Sequence, residues 1–348
     1  MIDISAPLRL RLDAAALTDN WRWLARQGGR AATGAAIKAD GYGLGARGVM
    51  ERLYAAGCRD FFVATWTEAA ALMPLPPGAS LSVLHGVRAE DMAAALTLPA
   101  RPVINSAEQA ARWRQAGQGR PCDVMVDTGM NRLGLRADDV SGGALAGLTI
   151  ATLMSHLASA DEDSAQNAAQ LAAFCAVRNA VPAARYSLAN SAGICLGTDY
   201  AFDLTRPGLA LYGGVPRSEA AGHLRAVVTL EAQLLQRRTV RAGESVGYGA
   251  TWTAQRDTAV GIANLGYADG YWRAFAGQGV ACAGDASLPL VGRVSMDLIA
   301  LDLSAAPDVN EGDWITLPLD LPGAAAATGM SQYELLTGLG RRFDRVWG

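Results

Sequence analysis

The sequence predicts a (β/α)8 barrel followed by a mostly-β domain. Over the first two-thirds of the chain, short apolar runs alternate with alanine-rich amphipathic stretches. That is the pattern of buried parallel strands joined by helices. After about residue 218 it gives way to period-two alternation, as in "AVVTLEAQLLQRRTV" (226–240), "LIALDLS" (298–304) and "NEGDWITLPL" (310–319). That change marks half-buried strands separated by turns.

The apolar runs are "GAAIK" (34–38), "FFVAT" (61–65), "LSVLH" (81–85), "RPVIN" (101–105), "CDVMV" (122–126), "TIATLM" (149–154), "RYSLA" (185–189) and "GLALYG" (208–213). Helical stretches such as 46–56, 67–73, 89–97, 107–116 and 164–179 separate them. A doubly wound open sheet is the competing fold, and the count of eight favours the barrel. The expected domains are a barrel over 8–218 and a β domain over 219–348, with residues 1–7 joining the β domain. There is no low-complexity linker and no internal repeat.

At 348 residues, 51% hydrophobic and 18% charged, the chain can bury a large core. A net charge of −3 with interspersed signs gives no footprint for nucleic acid or an anionic membrane. No apolar run approaches the ~20 residues that span a bilayer. "MIDISAPLRLRLD" lacks a signal peptide's basic start and long apolar stretch, so a cytoplasmic location is expected. The five cysteines are scattered without CxxC spacing, and the three histidines show no metal-ligand spacing. Neither a disulfide framework nor a metal site is expected.

Lys38, in "TGAAIKADGYGLG", is the only lysine among 30 basic residues. A surface charge is served equally by arginine, but arginine does not form an imine. A desolvated lysine can lose its proton and become a nucleophile or base. Lys38 is therefore a candidate reactive amine, and the bland alternative is a leftover surface lysine.

Barrel chemistry gathers past the C-terminal ends of the strands. Lys38 ends the first run. Arg132 follows the run at 122–126, His156 the run at 149–154, and Asn190 and Ser191 the run at 185–189. Arg206, Gly208 and Tyr212 lie in "TRPGLALYG". Each has a plain structural alternative: His156 as a satisfied histidine, "DTGMN" as a turn, "LANSAG" as a helix cap. Their joint placement at one end points to a shared pocket. The glycine-rich turns "ADGYGLG" and "RPGLALYG" suit phosphate. A reactive lysine with a phosphate site is what pyridoxal phosphate requires.

Nine motifs in order carry a family resemblance. They are "KADGYGLG", "VDTGMNRLG", "HLASADE", "ANSAG", "RPGLALYG", "VGYGATW", "NLGYADGYWR", "GRVSMDL" and "QYELLTGLGRRFDRVW". Together they resemble the alanine racemase family, fold-type III pyridoxal 5'-phosphate enzymes, over nearly the whole chain. The resemblance implies a head-to-tail homodimer that supplies D-alanine for peptidoglycan, each active site drawing on both subunits. Lys38 would carry the cofactor and act as base on the D-side of the substrate Cα. Tyr267 of the other subunit would serve the L-side. Tyr42, Ser191, Gly208, Leu209 and Tyr333 would hold the phosphate, and Arg206 would face the pyridine nitrogen. His156 would pack at the ring with Asn190 nearby. Arg132 would touch the phenolic oxygen and the substrate carboxylate. Met296 and Asp297 of the other subunit would line the substrate side.

Four positions depart from the family. Gly41 and Leu44 stand where Ala and His are common. Met125 stands where many relatives carry a carbamylated lysine that orients the arginine, so Arg132 needs another support: Asp127, an Asn, a water or an anion. Ser187 replaces a histidine that supports the pyridine-side arginine, leaving Arg206 to a smaller side chain and water. The alternatives are a racemase of serine or another small amino acid, a fold-type III decarboxylase, and a non-catalytic cofactor carrier. The missing cysteine motif counts against the decarboxylase, and the β domain against the carrier.

Overall fold

The computed structural model describes residues 5–348 and divides into two compact units. One is Ala15–Arg225. The other joins the described residues up to Ala14 with Ala226–Gly348.

The chain enters the second unit first. Strand β1 (Leu8–Leu12) pairs antiparallel with β11 (Val228–Val240) and parallel with the last strand, Asp344–Trp347. Its alternate residues Leu8, Leu10 and Leu12 are buried there. The barrel therefore does not start at residue 8, as expected from the sequence. A five-residue alternating strand suits a sheet with one wet face. The expectation for residues 1–4 lies outside the described residues.

The first unit is a barrel of parallel strands. β2 (Ala32–Thr33) and β3 (Ala35–Ala36) form one interrupted strand. They are followed by β4 (Asp60–Val63), β5 (Ser80–Val83), β6 (Arg101–Ile104), β7 (Cys122–Met125), β8 (Ile150–Met154), β9 (Arg185–Ser187) and β10 (Leu204–Thr205). β3 to β9 pair consecutively and in parallel. β10 closes the ring. Asp203 and Arg206 donate N–H to the carbonyls of Tyr186 and Ala189 beside β9, and β10 pairs in parallel with β2. The count of eight holds, but the eighth strand is not 208–213. Pro207 has no N–H, and the Gly208 N–H is taken by the Ser191 hydroxyl at 2.9 Å. The chain turns there into a 3-10 helix, Leu209–Tyr212. Between the strands lie helices Ala46–Ala56, Trp66–Ala71, Met92–Thr97, Ala107–Ala116 and Ala165–Ala180. Helix Ala14–Gln27, not singled out from the sequence, precedes the ring.

The barrel floor is polar. Asp123, with no exposed surface, accepts from Ser82 Oγ at 2.6 Å and Arg101 Nε at 3.2 Å. Asp60 takes a bidentate pair from Arg185 at 3.0 and 2.6 Å. Pairing of this kind is what lets charge sit inside a core.

In the second unit the later strands are β12 (Ser245–Val246), β13 (Trp252–Thr253), β14 (Thr258–Ala263), β15 (Val280–Ala283), β16 (Ala286–Val291), β17 (Ile299–Asp302), β18 (Trp314–Pro318) and β19 (Asp344–Trp347). The 13-residue β11 serves two neighbourhoods. Its first half pairs with β1 and β18, and its second half with β14. An irregularity between Leu234 and Gln236 accompanies the change of partner, as bulges commonly bend a strand. The ring β11–β14–β17–β16–β15–β18 closes on itself and leaves few free edges.

Candidate active site

Lys38 stands immediately after β3, and the backbone beyond it is unusual. Ala39, Asp40, Gly41, Tyr42 and Gly43 all have positive φ, from 52° to 85°. The non-glycine residues in such a left-handed turn each cost ~1–2 kcal/mol. Local bonds compensate. Asp40 Oδ1 accepts the Ala46 N–H at 2.9 Å, and Gly43 donates N–H to the Ala39 carbonyl at 2.9 Å. The turn carries Tyr42 into the barrel, where it stacks on the buried Tyr212 at 4.6 Å. Tyr212 is fixed in turn by donating its hydroxyl to the Ala36 carbonyl at 2.9 Å.

Around this turn the structure gathers most of the expected residues. Ser191 Oγ accepts N–H bonds from Gly208 at 2.9 Å and Ala210 at 3.2 Å. It thus joins the start of helix Ser191–Cys195 to the 3-10 turn opened by Leu209. Asn190 is the cap of that helix: its side-chain oxygen accepts the Gly193 N–H at 2.8 Å. The structural alternative for "LANSAG" therefore accounts for Asn190. A Cβ on Gly208 would lie 2.2 Å from Tyr42 Oη. Gly208→Ala should therefore displace Tyr42 and weaken binding of free pyridoxal phosphate at least about tenfold, measured by fluorescence titration.

Arg206 is buried and well held. Nη1 donates to Ser187 Oγ at 2.5 Å, and Nη2 donates to the Ser155 carbonyl at 2.5 Å. Ser187 Oγ donates to the Leu204 carbonyl. The smaller side chain expected to support Arg206 is therefore Ser187, joined by the backbone of Ser155. Burial lowers the guanidinium to about 10, which still leaves it protonated near neutral pH.

His156 lies on the next loop. Gln170 fixes it by accepting the Ala158 N–H at 2.8 Å and donating to the His156 carbonyl at 3.0 Å. Burial, then the positive charges of Arg206, Arg132 and Lys38, pushes the imidazole down to about 3, so it stays neutral. Lys38 is lowered by burial first and by Arg132 second, with Glu68 opposing.

Arg132 is exposed, and among the described residues its side chain has no hydrogen-bond partner. Asp127, one expected support, is otherwise engaged. Its Oδ1 accepts the N–H groups of Gly129, Met130 and Asn131 at 2.8, 2.9 and 3.1 Å. It shapes the loop rather than the guanidinium. Met125, at the position many relatives use for a lysine, is buried.

The remaining expected residues lie in the second unit. Tyr267 opens a 3-10 turn and is half-buried. Its N–H bonds the Ser295 carbonyl, and that of Ala268 bonds the Met296 carbonyl, each at 3.0 Å. A Cβ on Gly266 would meet the Met296 carbonyl oxygen at 2.2 Å, so only glycine permits this approach. Arg342, not singled out from the sequence, ties both loops. It donates to the buried Asp269 at 2.6 Å and to Asp297 at 2.7 Å. Met296, at 54%, and Tyr333, at 45%, are exposed. Among the described residues no group of His, Cys, Asp and Glu is arranged to hold a metal, and no helix is long and apolar enough to cross a membrane.

A primary amine of lowered basicity, set at the mouth of a barrel among cations, is equipped for carbonyl chemistry. That places the chain among lysine-centred enzymes built from a barrel and a β domain. The profile described as "Alanine racemase, N-terminal domain" matches residues 12–216, and "Alanine racemase, C-terminal domain" matches residues 227–347. An alanine racemase of Methylobacterium nodulans is 44% identical, covering 97% of this chain and 95% of its own. That of Dinoroseobacter shibae is also 44% identical, covering 98% of each. The crystal structure of alanine racemase from Bartonella henselae with covalently bound pyridoxal phosphate superposes with a TM-score of 0.90 at 35% identity. It covers 99% of this chain and 100% of that one. The chain belongs to the alanine racemase family.

Proposed function

We propose that this protein is a pyridoxal-phosphate-dependent alanine racemase, using Lys38 and Tyr267 on opposite faces of the substrate. The observation that carries this reading is the pocket around Lys38. The chain's only lysine stands beside Arg132, with the Glu68 carboxylate opposing, and both it and Arg206 act on a neutral His156. An excess of positive charge beside the cradle formed by the Ser191 hydroxyl and the backbone of residues 208–210 fits a phosphorylated, anionic aldehyde.

When bound, pyridoxal phosphate supplies the electron sink that makes the substrate α-proton removable. The rest falls to the protein. Lys38 Nζ would hold the cofactor at its aldehyde and would take or return a proton at the D-face of the substrate Cα. Tyr267, from a second copy in a head-to-tail dimer, does the same at the L-face. Two groups on opposite faces avoid one base having to swing. Tyr42, Ser191, Gly208 and Leu209, with Tyr333, hold phosphate. Arg132 binds the substrate carboxylate, and Met296 and Asp297 border the substrate. Neutral His156 packs at the ring, and Asn190 sets the helix that presents Ser191. Arg206, still protonated, would face the pyridine nitrogen and so would limit electron withdrawal and protonation at the wrong carbon.

The dimer is supported by exposed Tyr248, Met296, Leu298 and Tyr333 on the second unit, a set of large apolar groups that association would cover. A cytoplasmic location is supported by five cysteines, all free. The role is supply of D-alanine for peptidoglycan. Borohydride reduction of the loaded protein, followed by peptide mapping, should place the cofactor's mass on the peptide containing Lys38. Recovery on the α-amine, or nowhere, would contradict the reading.

A further inference from the structure

Glu68 stands outside every motif discussed above. It lies in the first turn of helix Trp66–Ala71, capped by Thr65. Its Oε2 accepts the N–H groups of Ala64 at 2.6 Å and Thr65 at 3.2 Å. That much is ordinary for a capping-box glutamate. Its Oε1 does what a cap does not need. It accepts the Ala39 N–H at 2.7 Å, from 29 residues earlier in the chain. That N–H belongs to the peptide bond joining Lys38 to Ala39, at the first residue of the left-handed turn. An unfavourable φ persists only where its surroundings impose it. Here a charge-assisted bond does so.

We propose that Glu68 is the positioning residue of Lys38: one oxygen pins the Lys38–Ala39 peptide, the other caps the next helix, and the carboxylate's charge stands beside the amine. The charged and titratable groups facing that amine are Glu68 from the helix, Arg132 from the loop after β7, and His156 from the loop after β8. Both carboxylate oxygens accept. Glutamine therefore cannot substitute, because its amide nitrogen would face an N–H on one side.

The proposal rests on Lys38 being the reactive amine. Because Lys38 is the only lysine, an amine-reactive acylating reagent reads one ε-amine on the full chain freed of cofactor. The α-amine falls on another peptide by mass spectrometry. The rate of Lys38 labelling against pH would be compared for wild type, Glu68→Gln and Thr65→Ala. Removing a negative charge disfavours the ammonium, so Glu68→Gln should lower the midpoint by about half a unit to one unit. Thr65→Ala weakens the same cap but keeps the carboxylate, and should titrate as wild type. An unmoved midpoint in Glu68→Gln, or an equal shift in Thr65→Ala, would overturn the proposal. If Glu68→Gln does not fold, Glu68→Asp decides. It keeps the charge but is one methylene too short to bridge both sites, so labelling at high pH should change at least threefold with the midpoint unmoved. A rate equal to wild type would overturn the proposal. A wild-type Lys38 that never labels would instead contradict its role as the reactive amine.

Discussion

Lys38→Ala should lower racemisation of alanine by at least ~10⁴-fold and leave the cofactor removable by gel filtration. On the proposed reading two functions would vanish at once: the bond that retains the cofactor and the base on one face of Cα. No other lysine exists to replace it. Lys38→Arg should be equally inactive, although it keeps the charge, because a guanidinium is neither nucleophile nor base near neutral pH. The measurement is chiral separation of alanine with time, beside the absorbance retained on the protein. A Lys38→Arg variant within tenfold of wild type would mean that charge alone is needed.

Tyr267→Phe should cost about 10²–10⁴-fold in racemisation, the usual worth of a positioned acid or base. Its signature is asymmetry rather than size. With the Lys38 face intact, D-alanine in deuterium oxide should still exchange its α-hydrogen, returning as D-alanine. L-alanine should neither exchange nor invert. The turn should survive the change, since Tyr267 is held by its own N–H to the Ser295 carbonyl and by the Asp269–Arg342 pair behind it. Equal loss of exchange from both enantiomers would place Tyr267 outside proton transfer.

What the sequence made legible follows from how local each feature is. Apolar runs and amphipathic stretches are local, so the count of eight strands and helices Ala46–Ala56 and Ala107–Ala116 could be read directly. Lys38 stood out because its chemistry is unique in the chain. The eighth strand was misplaced because "GLALYG" is apolar enough for a strand. Its turn is imposed by Pro207 and by a hydroxyl, Ser191, 17 residues earlier. β1 was assigned to the wrong domain because its partners lie more than 200 residues away. Glu68, Ser155 and Arg342 carried no visible signal. One looks like a helix cap, one acts through its carbonyl, and one is an arginine among many. Asp127 was expected as one support for the Arg132 side chain, yet it binds backbone N–H groups instead, which only the folded loop reveals.

The central claim is that one site removes the α-proton of alanine on one face and returns a proton on the other. The measurement that tests it most directly is incubation of the purified, cofactor-loaded protein with L-alanine in deuterium oxide, with products resolved by chirality and mass. The account predicts D-alanine carrying deuterium at Cα, formed until the two enantiomers are equal. L-alanine recovered unchanged and unlabelled would contradict it.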